Sequence, residues 1–243
     1  MPSLPSNTFM FNYNARQYDS STYTFPKTTG QLFDVDLTLN GEPYNYTDEY
    51  VGFNLNRTIY MGYTFSSNAQ NPFNRASSAS SFTFIYKTSG FTAGDRNLFC
   101  NRNTNYNYMI RGNSMHTAAS NYLSLTPSSS PEICVIRVNS NGTSERKFVD
   151  SNGNTLQVTT GATINWGQLN NGIGFFAGYA TGGEYFQNRF YWMYCSMETL
   201  TDAEVLQVIQ YNENTEPTPP TPPTPADYPL PINKLYINGH RIN

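Results

Sequence analysis

Asp34-Val35-Asp36 is the spacing in this chain that comes nearest to a chemical task. Residues i and i+2 of a strand share a face, so these two carboxylates would lie side by side. Retaining hydrolysis of a glycosidic bond uses two carboxyl groups about 5 to 5.5 Å apart on one such face. Asp34 and Asp36 have no third acid beside them, and a solvated strand edge accounts for them better. His116 and His240 each stand alone in their neighbourhoods, and no His/Cys/Asp cluster has zinc spacing. No G-x-S-x-G elbow marks a nucleophilic serine. Cys100, Cys134 and Cys195 sit inside apparent strands without a C-x-x-C, which reads as three buried free thiols. The expectation is a chain with no catalytic residues and no metal site, and not an enzyme.

The elements that must position any site are short strands. Charged residues make up 13% of the 243 residues, about half the usual share, and there are 19 Tyr and 16 Phe. Polar weight falls on Asn, Ser and Thr. That mixture suits twisted antiparallel strands with Asn- and Gly-rich turns, not a helical bundle. A net charge of −3 and scattered basic residues, with Arg146-Lys147 the only adjacent pair, argue against nucleic acid as partner. No apolar run approaches a membrane span, and residues 1–14 lack the basic and apolar regions of a secretory signal.

Strand candidates recur along the chain. Leu32–Leu39 alternates and ends in Asn40-Gly41, a hairpin signal. Val51–Leu55, Thr58–Phe65, Ser81–Lys87, Asn97–Asn101 and Tyr106–Arg111 follow. Tyr122–Leu125 is short. Glu132–Val138 and Glu145–Val149 flank an Asn-Gly turn, and Leu156–Thr159 comes after another turn. Many strands with turn signals every 8 to 12 residues mark a two-sheet sandwich. Residues 1–30 are read as lying along the sandwich or reaching a neighbour.

The close of the body carries the most specific signal. Ile173–Tyr179 is an apolar run punctuated by glycines, Thr181-Gly182-Gly183 a turn, and Phe190–Cys195 a β-prone aromatic run. Thr201-Asp202-Ala203-Glu204 is a capping box, after which Val205, Leu206, Val208 and Ile209 recur at helical spacing. This order, with the phrase Leu200-Thr201-Asp202-Ala203-Glu204, resembles the end of a concanavalin A-like, laminin-G-like jelly-roll domain. The triple FTFIYK, NLFCNR and YNYMIRG resembles the middle of such domains. The fold expected is therefore all-β: an antiparallel two-sheet jelly roll over residues 1–212 with one short C-terminal helix.

That resemblance implies further things. Sugar binding is the commonest activity of the family. It needs aromatic faces for the pyranose and amide or hydroxyl groups for the polyol. Tyr44, Tyr46, Trp166, Tyr179 and Tyr185 stand in loop-like contexts with Asn neighbours and are the candidates, although core packing explains a Tyr or Trp equally well. The family's β-glucanases carry Glu-x-Asp-x-x-Glu, which this sequence lacks. No cofactor is expected; calcium is the one ion the resemblance admits, through oxygens such as Asp48, Glu49, Asp95 and Asp150, which the sequence does not bring together.

After Asn212 the composition changes. Residues 213–229 are a Pro-rich extended linker favouring polyproline II. Residues 230–243 hold a strand, an Asn238-Gly239 turn and the start of a return strand, too short to fold alone. Ile232, Leu235, Tyr236, Ile237 and Ile242 are read as docking residues for a sheet edge elsewhere. Ile232–Gly239 resembles terminal hairpins in fibre and capsid-attached proteins of tailed phages. The leading expectation is a structural attachment protein on a virion surface, made in the host cytoplasm without a signal peptide, joined to other virion proteins by its tail. It is expected to be a homo-oligomer, to reach a cell-surface glycan, and to bind neither nucleic acid nor membrane. The alternatives are a bacterial surface carbohydrate-binding module and a polysaccharide depolymerase.

Overall fold

The structure, a computed structural model, describes residues 3–5, 9–54, 58–67, 70–71, 81–89, 97–101, 108–111, 115–117, 120–126, 128–139, 141, 143–161, 172–177, 185–213, 236–237 and 240–241. In chain order its strands are β1 (Phe9–Asn14), β2 (Thr24–Phe25), β3 (Leu37–Thr38), β4 (Asn45–Tyr46), β5 (Val51–Gly52) and β6 (Met61–Thr64). Then come β7 (Phe82–Ser89), β8 (Asn97–Asn101), β9 (Tyr108–Arg111), β10 (Met115–Thr117), β11 (Ser120–Tyr122) and β12 (Glu132–Val138). Last are β13 (Ser144–Val149), β14 (Thr155–Gly161), β15 (Gly172–Phe175), β16 (Arg189–Ser196), the helix α1 (Asp202–Glu213), β17 (Tyr236–Ile237) and β18 (His240–Arg241).

Two antiparallel sheets make the body. One runs β14-β13-β12-β7-β16-β5-β4, with β1 also paired to β16; the other runs β11-β10-β9-β8-β15-β6. The central strands of the first sheet are covered on both faces, so they are apolar nearly throughout. Phe82, Phe84 and Tyr86 of β7 enter the core between the sheets, while Ile85 enters a second core on the outer face. This is the period-two division of a strand.

The inter-sheet core is aromatic. Phe11 from the first sheet meets Phe175 from the second at 5.2 Å between ring centroids, and Phe99 meets Phe175 at 5.1 Å. Rings at such distances add to the area they bury. On the outer face, α1 lays Val205, Val208 and Ile209 against Ile133, Val135, Val149 and Trp192. The capping box at the start of α1 is formed: the Thr201 N–H donates to Glu204 Oε2 at 2.8 Å, and the Glu204 N–H donates to Thr201 Oγ1 at 3.3 Å.

A bulge in β16 explains a sequence run without alternation. The register slips between Phe190 and Trp192 against β7. Phe190 and Met193 therefore both reach the inter-sheet core, three residues apart, while Trp192 and Tyr194 turn to the helix side.

Several strand expectations are corrected. Residues 1–30 do not merely lie along the sandwich; Phe9–Asn14 is a strand of the first sheet, opposite Ser196 to Trp192. Only Leu37–Thr38 of the 32–39 run is a strand, and it pairs with Thr24–Phe25. Asn40 does not turn a hairpin. Its backbone N–H donates to Tyr60 O at 3.0 Å and its side chain accepts the Tyr60 N–H at 2.9 Å, tying two loops together. The strand expected at 122–125 ends at Tyr122, and Leu123 has φ +51°. The C-terminal hairpin is present as Tyr236 opposite Arg241 and Ile237 opposite His240; among the described strands it pairs with neither large sheet.

Candidate functional site

A polar cleft opens where β4, β5 and β16 meet the end of β7. Strand register builds it. Asn45 stands opposite Gly52, Gly52 opposite Arg189, and Arg189 opposite Ser89. Residues directly opposite in antiparallel pairs share a face, so four residues from four strands form one row. The next row, Tyr46, Val51, Phe190 and Thr88, has Val51 and Phe190 in the inter-sheet core. The first row therefore faces away from that core.

The β4–β5 hairpin is held by a tight loop. Thr47 Oγ1 accepts the N–H groups of Glu49 at 3.1 Å and Tyr50 at 3.3 Å, and the Thr47 N–H donates to Tyr50 O at 2.9 Å. Gly52 has a steric role here: a Cβ on it would overlap the Oδ1 of Asn45. The absence of that carbon is what lets the Asn45 amide lie over the strand.

Beneath the cleft is an aromatic floor. Phe53 stacks on Phe176 at 4.4 Å and meets Phe186 at 5.5 Å. The Phe53 N–H donates to Asn188 O at 3.0 Å and the Phe186 N–H to Phe176 O at 2.8 Å, which fixes the 186–189 segment to β5. Phe176 itself has φ +60°, a conformation that a bulky residue adopts only where its surroundings impose it.

The cleft encloses about 380 Å³. Tyr44, Asn45, Asn54, Gln187, Asn188 and Arg189 give it its chemistry, with Ser89 and Ser129 at its sides. Tyr44 is 58% exposed. Arg189 is exposed, and its guanidinium carbon lies 4.7 Å from the centre of the Tyr50 ring. An aromatic face, carboxamides, hydroxyls and one guanidinium make a set that hydrogen-bonds a polyol and stacks a sugar ring.

The predicted sugar residues are dispersed. Tyr44 lines the cleft. Tyr46, on the next row, packs on Tyr18 at 5.7 Å. Tyr185 pairs with Tyr60 at 5.7 Å, two residues before the cleft-lining Gln187. Trp166 and Tyr179 lie outside the described residues, as do Ile232, Leu235 and Ile242 of the predicted docking peptide. Asn45, Gly52, Ser89 and Arg189 were not anticipated. They come from three distant stretches, and only the register joins them.

Asp34 and Asp36 are both drawn to Lys27. Lys27 Nζ reaches Asp34 at 2.5 Å, and the Lys27 N–H donates to Asp36 Oδ1 at 2.8 Å, so both carboxylates hold one loop. Asp34, paired by side-chain hydrogen bonding, raises the Lys27 pKa. Asp48 and Glu49 sit in the β4–β5 loop, whereas Asp150 closes the β13–β14 turn by accepting the N–H groups of Asn152 and Asn154, each at 2.9 Å. Those turns stand at opposite edges of the first sheet. Asp95 is outside the described residues, among which no group of three or more His, Cys, Asp or Glu gathers. All three cysteines are free and buried. No helix among the described residues is long and apolar enough to cross a membrane.

A smaller polar hollow of about 110 Å³ lies between β16 and the end of α1. Glu213 accepts there from Lys87 Nζ and from Trp192 Nε1, each at 2.5 Å. It is an anchor for the helix end.

No family profile matches the chain, and no curated protein matches it. Solved structures do. A sialidase of Trypanosoma rangeli aligns over 87% of this chain with 10% identity and a TM-score of 0.51. A mutant of that sialidase displaying trans-sialidase activity aligns over 88% with 9% identity and a TM-score of 0.52. The binding domain of botulinum neurotoxin DC, solved in complex with "SialylT", aligns over 85% with 11% identity and a TM-score of 0.50. The chain spans about a third (34%) of the first sialidase chain and about half (52%) of the neurotoxin one. At such identities the likeness defines a class by fold alone: an antiparallel β-sandwich with one short helix. It also corrects the expectation that this chain is not an enzyme. Sialidases are among the structures that share its fold, so the fold gives no ground for excluding catalysis.

Proposed function

We propose that this chain is a carbohydrate-binding module and that the Tyr44 cleft is its binding site. The observation that carries the reading is the row Asn45, Gly52, Arg189 and Ser89 beside the exposed ring of Tyr44. Tyr44 leaves a large aromatic ring 58% exposed beside the amides that line the cleft, and sugar stacking gives that ring a use. The fold likeness supports the same direction, since one of the similar structures is a binding domain in complex with "SialylT" and others are sialidases. The test is titration of oligosaccharides into wild type and Tyr44→Ala by calorimetry. Tyr44→Ala is expected to weaken binding about three- to tenfold, the worth of one aromatic contact. Equal affinity in both proteins would remove the cleft from the account.

A second proposal keeps the sequence expectation of an attachment role. Its support is that α1 ends at Glu213, clamped by Lys87 and Trp192, so the point in the sequence after which the Pro-rich run begins is fixed to the body. On this reading the tail docks on another protein of an assembly such as a virion, or on a sister chain. Deleting residues 214–243 and measuring incorporation into particles tests it; full incorporation of the shortened chain would end it.

A further inference from the structure

We infer that the cleft takes a sugar bearing a carboxylate, with Arg189 as the residue that reads its charge. The inference rests on the carbohydrate-binding proposal and narrows it to a substrate class.

Lys27 pairs with Asp34, Lys87 with Glu213, Arg137 with Glu145 and Asp202, and Lys147 with Asp202. Arg16 donates to the Glu213 carbonyl, and the buried Arg146 to Tyr86, Cys134 and Leu123. Arg189 is exposed in the cleft, forms no ion pair with a carboxylate among the described residues, and contacts the Tyr50 ring at 4.7 Å. A cation–π contact holds the guanidinium in place without neutralising it. The remaining side chains that line the cleft are uncharged: tyrosine, amides and serines. So the cleft carries a single, oriented positive charge.

The form of that charge selects the ligand. A guanidinium offers a planar fork of N–H donors that matches a carboxylate in two parallel hydrogen bonds. Ser89 stands directly opposite Arg189, and Asn45 lies two strands away in the same row, so hydroxyl and amide groups flank the place where the carboxylate would sit. Sulfated chains are a poorer match. They carry many charges, and their recognition needs clustered cations, whereas this cleft has one and the chain as a whole is at −3.

The experiment compares methyl β-glucuronide with methyl β-glucoside, and sialyllactose with lactose, by calorimetry on the full chain, with a heparin-derived oligosaccharide as the sulfated arm. Wild type is expected to bind at least one acidic sugar about tenfold more tightly than its neutral counterpart, the worth of one charge-assisted contact. Arg189→Gln is expected to abolish that preference, bringing the affinity for the acidic sugar down to that for its neutral counterpart. Arg189→Lys, which keeps the charge without the fork, should retain part of it. Thermal unfolding of each variant checks that the fold is intact. Equal affinity for acidic and neutral sugars, an acid preference that survives Arg189→Gln, or tighter binding to the sulfated oligosaccharide overturns the inference while leaving the carbohydrate proposal standing. Binding to no sugar at all overturns both.

Discussion

The side-chain oxygen of Asn45 occupies the space that a Cβ on Gly52 would need. The two residues are direct partners across β4 and β5, so the glycine opens a seat for the amide of the asparagine in the cleft. Gly52→Ala should drive that amide out. Sugar binding is expected to fall about fivefold to tenfold, consistent with one lost hydrogen bond. Stability should change by less than about 1 kcal/mol, because the obstructing atom is the end of a side chain that can swing toward solvent. Calorimetric titration and urea unfolding on the same sample separate the two effects. A large stability loss with unchanged affinity would mean that Asn45 shapes the hairpin and not the site.

Arg146 is fully buried on the inner face of β13. Its guanidinium donates to the Tyr86 hydroxyl at 2.7 Å, to Cys134 Sγ at 3.1 Å and to Leu123 O at 3.4 Å, and it lies 5.8 Å from the centre of the Phe148 ring. Burial pushes the Tyr86 pKa well up, against the lowering effect of the Arg146 charge, so the phenol stays protonated as hydrogen-bond acceptor to Arg146. Tyr86→Phe leaves a buried charge short of one partner and is expected to destabilise by about 1–3 kcal/mol. Arg146→Met removes the charge but takes a donor from the Tyr86 hydroxyl and the Leu123 carbonyl, and is expected to cost about 1–3 kcal/mol as well. Arg146→Met with Tyr86→Phe removes both partners, and is expected to cost less than the sum of the two single changes. Denaturant unfolding of the two single variants and the double gives the comparison. A double variant that loses the full sum would show that the guanidinium and the hydroxyl act independently.

Asp202, in the first turn of α1, joins the helix to β12 and β13. Its carboxylate accepts from Lys147 Nζ at 2.9 Å and from Arg137 Nη2 at 2.6 Å, and these two partners hold its pKa down to about 2. A carboxylate whose pKa is lower folded than unfolded stabilises above its unfolded pKa, near 3.8, and that stability is lost as pH falls from there through about 2. The Asp202 side chain is 79% exposed, so solvent screens the pair and the contribution should stay below about 1 kcal/mol. Asp202→Asn should therefore lower the unfolding midpoint at pH 7 and lose its effect near pH 2. A difference between variant and wild type that stays constant over that range would assign the effect to helix capping in place of ion pairing.

Much of this fold was legible because some sequences state their partner locally. Thr201 and Glu204 carry both halves of a capping box within four residues, and α1 starts there. Glu132–Val138 alternates between two cores and is a strand to the residue. Elsewhere the deciding information is not local. Phe9–Asn14 alternates too, but its neighbours are prolines and asparagines, and only pairing with β16 makes it a strand. The β16 bulge erases alternation in RFYWMYC, so no period could assign Tyr191 and Trp192 a face. The site was half visible. Tyr44 could be found as an aromatic among turn residues, but Ser89 and Arg189 look like ordinary strand ends. Their place in one row with Asn45 depends on register across four strands, which sequence spacing does not contain.

Glu213 ties the end of α1 to the body, and this one residue should decide whether a shortened chain is stable. The sequence suggested a boundary after Asn212, but α1 continues to Glu213, and the carboxylate there accepts from both Lys87 Nζ and the Trp192 indole N–H. The Glu213 carbonyl also accepts from Arg16 Nη1 at 2.7 Å. Trp192 is 2% exposed and the Lys87 side chain 19%, so the carboxylate serves a buried indole N–H and a part-buried ammonium. A chain ending at Glu213 should unfold like the full chain. A chain ending at Asn212 takes the carboxylate from both donors, and is expected to lose about 1–3 kcal/mol. Glu213→Gln in the full chain should fall between them, because the amide oxygen can serve one donor but carries no charge for Lys87. Equal unfolding midpoints for the two truncations would show that solvent or the new terminal carboxylate of Asn212 takes over the role of the Glu213 side chain.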